Sequence, residues 1–194
     1  MADLNRALFL DRDGVINIDH GYVCTREQFD FVDGIFELGR RAAELGYLIV
    51  VVTNQAGIGR GYYTEQQFLE LTDWMCRVFR ERGVPVAKVH FCPFHPEHGI
   101  GSYRIDSIDR KPGPGMIVRA ARDLEIDLAE SILLGDKESD IEAGVAAGIA
   151  CNVLYSPHNG AVPSPSSTIA TATVTRLIDA IPYMSNRSPG GACK

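Results

Sequence analysis

A chain of 194 residues is long enough for one well-filled core and short for two, and its 45% apolar share is ordinary for a globular protein in water. Its formal net charge of −6 excludes a broad nucleic-acid footprint, which needs clustered excess Lys and Arg to displace counterions. Any anionic ligand therefore has to meet a local basic patch.

The first apolar run, Ala7 to Leu10, has four residues, too few for the core of a secretion signal and far too few for a membrane span, so a cytoplasmic protein without a membrane partner is expected. Five cysteines without framework spacing (Cys24, Cys76, Cys92, Cys151, Cys193) read as reduced thiols rather than disulfides. Short apolar runs bounded by turn residues predict strands at 7–10, 47–53, 89–91, 131–135 and 150–154. Between them, helical spacing predicts helices over 35–45, 64–82, 116–124 and 140–147. Thr64 with Gln67 is set to form a capping box, and Gly148 is set to close the helix before it. Strands alternating with helices give an α/β fold, a doubly wound parallel sheet with helices on both faces. From Ser156 onward Ser, Thr, Pro and Ala dominate, and only the segment 172–181 can add a last short strand and helix. One domain over 1–184 is expected, with a disordered tail over 185–194.

In an open parallel sheet, ligands bind outside the carboxyl ends of the strands, near the switch in strand order. The unusual polar residues fall there: Asp11 and Asp13 after the first strand, Thr53 and Asn54 after the second, Arg110 and Lys111 in "DRKPGPG", and Asp136, Lys137 and Asp140 after "SILLG". Residues two apart in extended chain point the same way, so Asp11 and Asp13 can face one small site. With Asp136 they make a hard, oxygen-rich pocket that suits Mg²⁺, and Thr53 and Lys111 suit the oxygens of a phosphoryl group in transfer. Asp11 then makes sense as nucleophile and Asp13 as proton shuttle. For Asp140, capping the next helix is at least as good a reading.

Each of these signals has a plainer explanation. "DRDG" alone is also a common surface turn, but four such blocks in order, each at the end of an apolar run or just before a helix, leave that reading little room. "NQAGIGRGYY", 54–63, matches neither a dinucleotide nor a Walker loop, and reads as a flexible substrate-side loop carrying Arg60. "CPFHPEH", 92–98, begins like a metal site, yet no second cysteine pair follows.

These blocks together resemble the haloacid dehalogenase (HAD) superfamily of phosphotransferases. With "DHGYV", "VVTNQAGIGRG", "YYTEQQF", "CPFHP" and "RKPGPGM", residues 5–155 more narrowly resemble the D-glycero-D-manno-heptose-1,7-bisphosphate 7-phosphatase family. The resemblance implies a HAD core without a large cap domain and a Mg²⁺-dependent phosphatase that removes the 7-phosphate of a phosphorylated sugar, feeding the synthesis of nucleotide-activated heptose for surface polysaccharide. It makes Asp11 the nucleophile and a Mg²⁺ ligand, Asp13 the general acid and then base and a ligand through its backbone carbonyl, and Asp136 the third ligand. Thr53 and Lys111 would hold the transferring phosphoryl group, with Lys137 beside the metal. Asp19, His20, Gly21, Tyr22, Asn54, Arg60 and Arg110 would meet the sugar or its second phosphate. Many members carry a zinc loop. Here Phe94, Ser107 and Asp109 stand at three of its four ligand positions, so structural zinc is not expected, although His95, His98 and Asp109 remain donors in the loop. A monomer is expected. Two rivals stay open: a histidinol-phosphate phosphatase or another small phosphosugar phosphatase, and a non-catalytic phosphoacceptor, which would need no acid such as Asp13.

Overall fold

The computed structural model describes residues 4–157 and 168–184. The tail expected over 185–194, with Cys193, lies outside them. The other four cysteines are free thiols.

Six parallel strands form one sheet: β1 (Arg6–Leu10), β2 (Tyr47–Asn54), β3 (Val86–Cys92), β4 (Ile132–Gly135), β5 (Cys151–Tyr155) and β6 (Ala172–Val174). Their order across the sheet is β3-β2-β1-β4-β5-β6. The central strand β1 is buried along its whole length, as a parallel strand covered on both faces must be. Alternation sorts its side chains. Leu8 and Leu10 join Ile49, Val51, Leu134 and Val153 on one face, and Ala7 and Phe9 join Val50, Val52, Leu133 and Leu154 on the other.

Helices α1 (Ile35–Glu44) and α3 (Glu65–Glu81) cover the first face through Leu38, Leu71, Met75 and Phe79. Helices α4 (Gly115–Asp123) and α5 (Glu138–Ala147) cover the second through Met116, Ile117 and Ile141. The Thr64 capping box forms: Thr64 Oγ1 accepts from the Gln67 N–H at 3.1 Å, and the Gln67 side chain accepts from the Thr64 N–H at 2.8 Å. Gly148 ends α5 with φ of 92°, a left-handed turn that glycine adopts without strain.

Four local expectations need correction. The glycine-rich segment is not simply a loop, because Ala56–Gly59 winds into a single helical turn, α2, with Gly57, Ile58 and Gly59 buried. Strand β3 is longer than its apolar run, because it is an edge strand whose outer positions, Ala87 and Lys88, face solvent. Helix α5 starts two residues early, at Glu138. The last helix, Leu177–Tyr183, is of the 3₁₀ type and contains Pro182, which cannot donate to an α-helical ladder.

Because β2 and β4 flank β1 on opposite sides, the strand order reverses at β1, and a crevice opens above the carboxyl ends of β1, β2 and β4. Asp11, Thr53 and Asp136 stand at those three ends.

Candidate active site

A cavity of about 540 Å³ sits in this crevice. It is lined by Asp11, Asp13, Asp19, Gly21, Tyr22, Thr53, Asn54, Arg60, Arg110, Lys111 and Lys137, and also by Gln55, Tyr63, Ser139 and Asp140. Two predicted residues are missing from this lining: Asp136, which faces a neighbouring cavity of about 590 Å³ that shares Asp19, and His20. His20 lies on the exposed surface, where its Nε2 is 2.9 Å from Asp30, and the turn that brings Gly21 and Tyr22 to the rim carries its ring away.

Lys111 organises the floor. Its ammonium is buried and donates to three oxygens: the Val52 carbonyl at 2.9 Å, Asp11 Oδ1 at 2.9 Å and Asp140 Oδ1 at 2.6 Å. Burial alone would lower its pKa, but Asp11 and Asp140 outweigh that and raise it, so Lys111 stays charged. Asn54 fixes the backbone from which it springs, donating to the Lys111 carbonyl at 3.1 Å and accepting the Lys111 N–H at 3.0 Å. Both ends of the Asn54 amide thus support Lys111, while Asn54 also lines the cavity.

Asp140 does both jobs that its position allowed. It pairs with Lys111, and from the first turn of α5 it accepts the Lys137 N–H at 3.0 Å. Asp11, Asp136 and Asp140 bring one oxygen each within 4.8 Å of one another. Gly14 makes this closeness possible, since a Cβ there would sit 2.2 Å from Asp136 Oδ2. Asp136 Oδ1 is buried with no hydrogen-bond partner among the described residues, an arrangement that is costly unless a cation serves it. With Asp140 held by Lys111, the Asp11–Asp136 pair fits a hard divalent cation such as Mg²⁺.

Burial, only partly offset by Lys111, pushes Asp11 up to about 6. Burial, reinforced by the charge of Asp11, pushes Asp136 up to about 7. A carboxyl raised in the folded state adds stability while it is protonated, below about pH 4, and that stability is lost as pH rises through 6 and 7. Protons and metal compete for the same oxygens. Saturating Mg²⁺ is therefore expected to raise the unfolding temperature more at pH 8 than at pH 5, measured by thermal scans against EDTA. Equal shifts at both pH values would show that these carboxylates do not hold the metal.

Asp13 is held by four donors. Arg12 contributes Nε at 3.1 Å and a terminal nitrogen at 2.8 Å, Asn17 Nδ2 lies at 3.1 Å and Gln55 Nε2 at 2.8 Å. Arg12 is itself buried, donates to the Val23 carbonyl at 2.7 Å and lies over the Phe68 ring at 5.4 Å. At the rim, Lys137 reaches Asp19 at 3.3 Å, Tyr22 meets Tyr62 edge-to-face at 4.6 Å, and the Arg60 guanidinium lies 5.9 Å from the Tyr22 ring. In the loop after β3, two of the potential metal donors have partners within the protein. His95 Nδ1 accepts the Glu97 and His98 N–H groups at 3.2 and 3.1 Å, and Asp109 pairs with Arg119.

A family model described as HAD-hydrolase-like matches residues 108–156, the stretch that carries Lys111, Asp136 and Asp140. The chain is 55% identical, over 95% of its own length and 96% of the relative's, to the D-glycero-alpha-D-manno-heptose-1,7-bisphosphate 7-phosphatase of Burkholderia mallei. It is 42% identical to the corresponding beta-named enzyme of Vibrio cholerae, over 92% of this chain and 95% of that one. Among solved structures, the D,D-heptose 1,7-bisphosphate phosphatase of B. bronchiseptica, complexed with magnesium and phosphate, matches with a TM-score of 0.76 at 27% identity, covering 91% of this chain and 96% of that one.

Proposed function

Since the chain belongs to the heptose-1,7-bisphosphate 7-phosphatase family of the HAD superfamily, we propose that it hydrolyses the 7-phosphate of a D-glycero-D-manno-heptose 1,7-bisphosphate in the cytoplasm, upstream of nucleotide activation of the sugar. The observation that carries this reading is the buried Asp11–Lys111–Asp140 arrangement beside Asp136, on the floor of a cavity that Arg60, Arg110 and Lys137 also line. Asp11 attacks phosphorus, the bond from phosphorus to the sugar oxygen breaks, and Asp13 gives that oxygen its proton. Asp13 then takes a proton from water, the water oxygen attacks the aspartyl phosphate, and inorganic phosphate leaves as Asp11 is regenerated. Thr53 and Lys111 hold the phosphoryl oxygens. Asp11, Asp136 and the Asp13 carbonyl would hold Mg²⁺, which when bound supplies neutralisation of the charge that gathers on the phosphoryl group.

Substrate choice follows from charge. A heptose bisphosphate presents a second dianion away from the scissile group, whereas histidinol phosphate presents a cationic amine and an imidazole. Arg60 and Arg110 line the cavity, and Arg110 is only lightly engaged, through one nitrogen 3.4 Å from the Phe94 carbonyl. A guanidinium matches phosphate oxygens bidentately and repels an amine. The expected kcat/KM for the heptose bisphosphate exceeds that for histidinol phosphate by at least ~100-fold, and Arg110→Ala cuts the former by about ten- to a hundredfold with little effect on monophosphates. Comparable rates on both substrates, or an equal loss on every ester, would refute this assignment. For the anomer, the name borne by the relative at 55% identity favours alpha over beta, a choice that kcat/KM on the two separated anomers decides.

A further inference from the structure

We propose that Tyr63 and Gln55 form a relay that aims the Asp13 carboxylate at the leaving oxygen. The relay rests on the reading of Asp13 as the general acid given above. Gln55 is buried directly after β2, and all of its polar atoms are engaged inside the protein. Its Nε2 donates to Asp13 Oδ2 at 2.8 Å and to Thr53 Oγ1 at 2.9 Å, so one amide nitrogen bridges the proton shuttle and the phosphate grip. Its Oε1 accepts from the Tyr63 hydroxyl at 2.5 Å.

The network has one consistent sense. While Asp13 is ionised, turning the amide over would place Oε1 against its carboxylate, two acceptors without a proton between them. The Asp13 carboxylate therefore sets the orientation of the amide, and the Tyr63 hydroxyl, donating to Oε1, anchors the amide's far end in that orientation. Thr53, having accepted from Gln55, keeps its own hydrogen to donate to a phosphoryl oxygen. Burial raises the Tyr63 phenol above its ordinary value, so it remains a donor throughout the pH range in which a phosphatase works.

The surrounding chain is built to hold Tyr63 in this place. Gly57 lies flat beneath the ring, where a Cβ would come within 2.3 Å of it. Thr64, the next residue, is locked as the cap of α3. Arg12 and Asn17 hold Asp13 from its own loop, and Gln55 supplies the hold from the β2 end, where the phosphoryl group binds. Loss of the relay leaves Asp13 held by Arg12 and Asn17 alone.

Leaving-group dependence separates positioning of an acid from a general structural role. An alkoxide leaving from a sugar needs a proton, whereas p-nitrophenolate leaves without one, and kcat/KM reports the steps up to departure of that group. Tyr63→Phe keeps the ring and removes the donor. It is expected to lower kcat/KM about tenfold on heptose bisphosphate and less than about twofold on p-nitrophenyl phosphate, the scale of one hydrogen bond. Added to Gln55→Leu, Tyr63→Phe is expected to cause no further loss, because the two act as one unit. Asp13→Asn is the control and is expected to show the same selectivity on a larger scale. If Asp13→Asn shows that selectivity and Tyr63→Phe lowers both esters equally, lowers neither, or adds to Gln55→Leu, the relay is refuted while the acid stands. If Asp13→Asn is unselective, the assignment of the acid itself fails.

Discussion

Asp11→Asn is expected to fold as the parent does and to lose at least ~10⁴ in kcat on heptose bisphosphate, the scale on which removal of a covalent nucleophile acts. The amide keeps the shape of the carboxylate but cannot attack phosphorus, and the neighbouring carboxylates have other tasks: Asp140 is held by Lys111, Asp13 by its four donors, and Asp136 is assigned to the metal. Folding survives for a physical reason. Asp11 is a buried acid raised to about 6, so at pH 8 its ionisation costs stability, and a neutral amide removes that cost while Lys111 retains Asp140 and the Val52 carbonyl. The unfolding temperature in EDTA should be unchanged or higher, and the extra stabilisation by Mg²⁺ at pH 8 should shrink. Turnover above a tenth of the parent's would remove Asp11 from the mechanism.

Asp13→Asn is expected to lose about 10² to 10⁴ in kcat, the usual share of general acid–base catalysis. The substitution replaces one acceptor oxygen by an NH₂ among four donors that all point inward, so at least one of Arg12, Asn17 and Gln55 must turn away. A modest fall in stability should accompany the kinetic loss. A single-turnover experiment separates the two roles of Asp13. With p-nitrophenyl phosphate, formation of the phosphorylated enzyme should be nearly normal and its hydrolysis slow, giving a burst of about one p-nitrophenolate per active site. Absence of a burst, with both steps equally slow, would indicate that Asp13 serves the architecture and not proton transfer.

The central part of this site could be read from the chain because parallel sheets impose simple rules. A strand buried on both faces is a plain apolar run, so the polar residue that ends it stands out, as Asp11, Thr53 and Asp136 do. Spacing by two was enough to group Asp13 with Asp11. What could not be read depends on rotamers and on contacts across space. Asp140 offers a carboxylate three residues after the cap position of α5, and only its proximity to Lys111 shows the second task. Gln55 and Tyr63 are separated by a segment rich in glycine that carries no hydrophobic period, and α2 with its buried Gly57 is what brings them into contact. A signal was present: a glutamine directly after a strand-end threonine and asparagine is an unusual residue to bury. His20 went the other way, because nothing in the chain announces a partner as remote as Asp30. The edge strand β3 was undersized for a related reason, since a half-solvated strand carries Lys88 where a central one would carry valine.

The three oxygens around the Lys111 ammonium come from β2, from the end of β1 and from α5, stretches of chain far apart in sequence. During synthesis Asp11, Asp13 and Thr53 leave the ribosome long before Lys111, and Asp136 and Asp140 emerge later still. A nascent chain of a hundred residues already contains Asp11, Asp13 and Thr53, yet it lacks the cation that steadies the nucleophile and two of the three clustered carboxylates. On the proposed roles of these residues, phosphatase activity is expected only once β4 has paired with β1 and α5 has packed on β4, so its regain in a refolding experiment should time the closing of the longest loop in the sheet rather than the appearance of secondary structure.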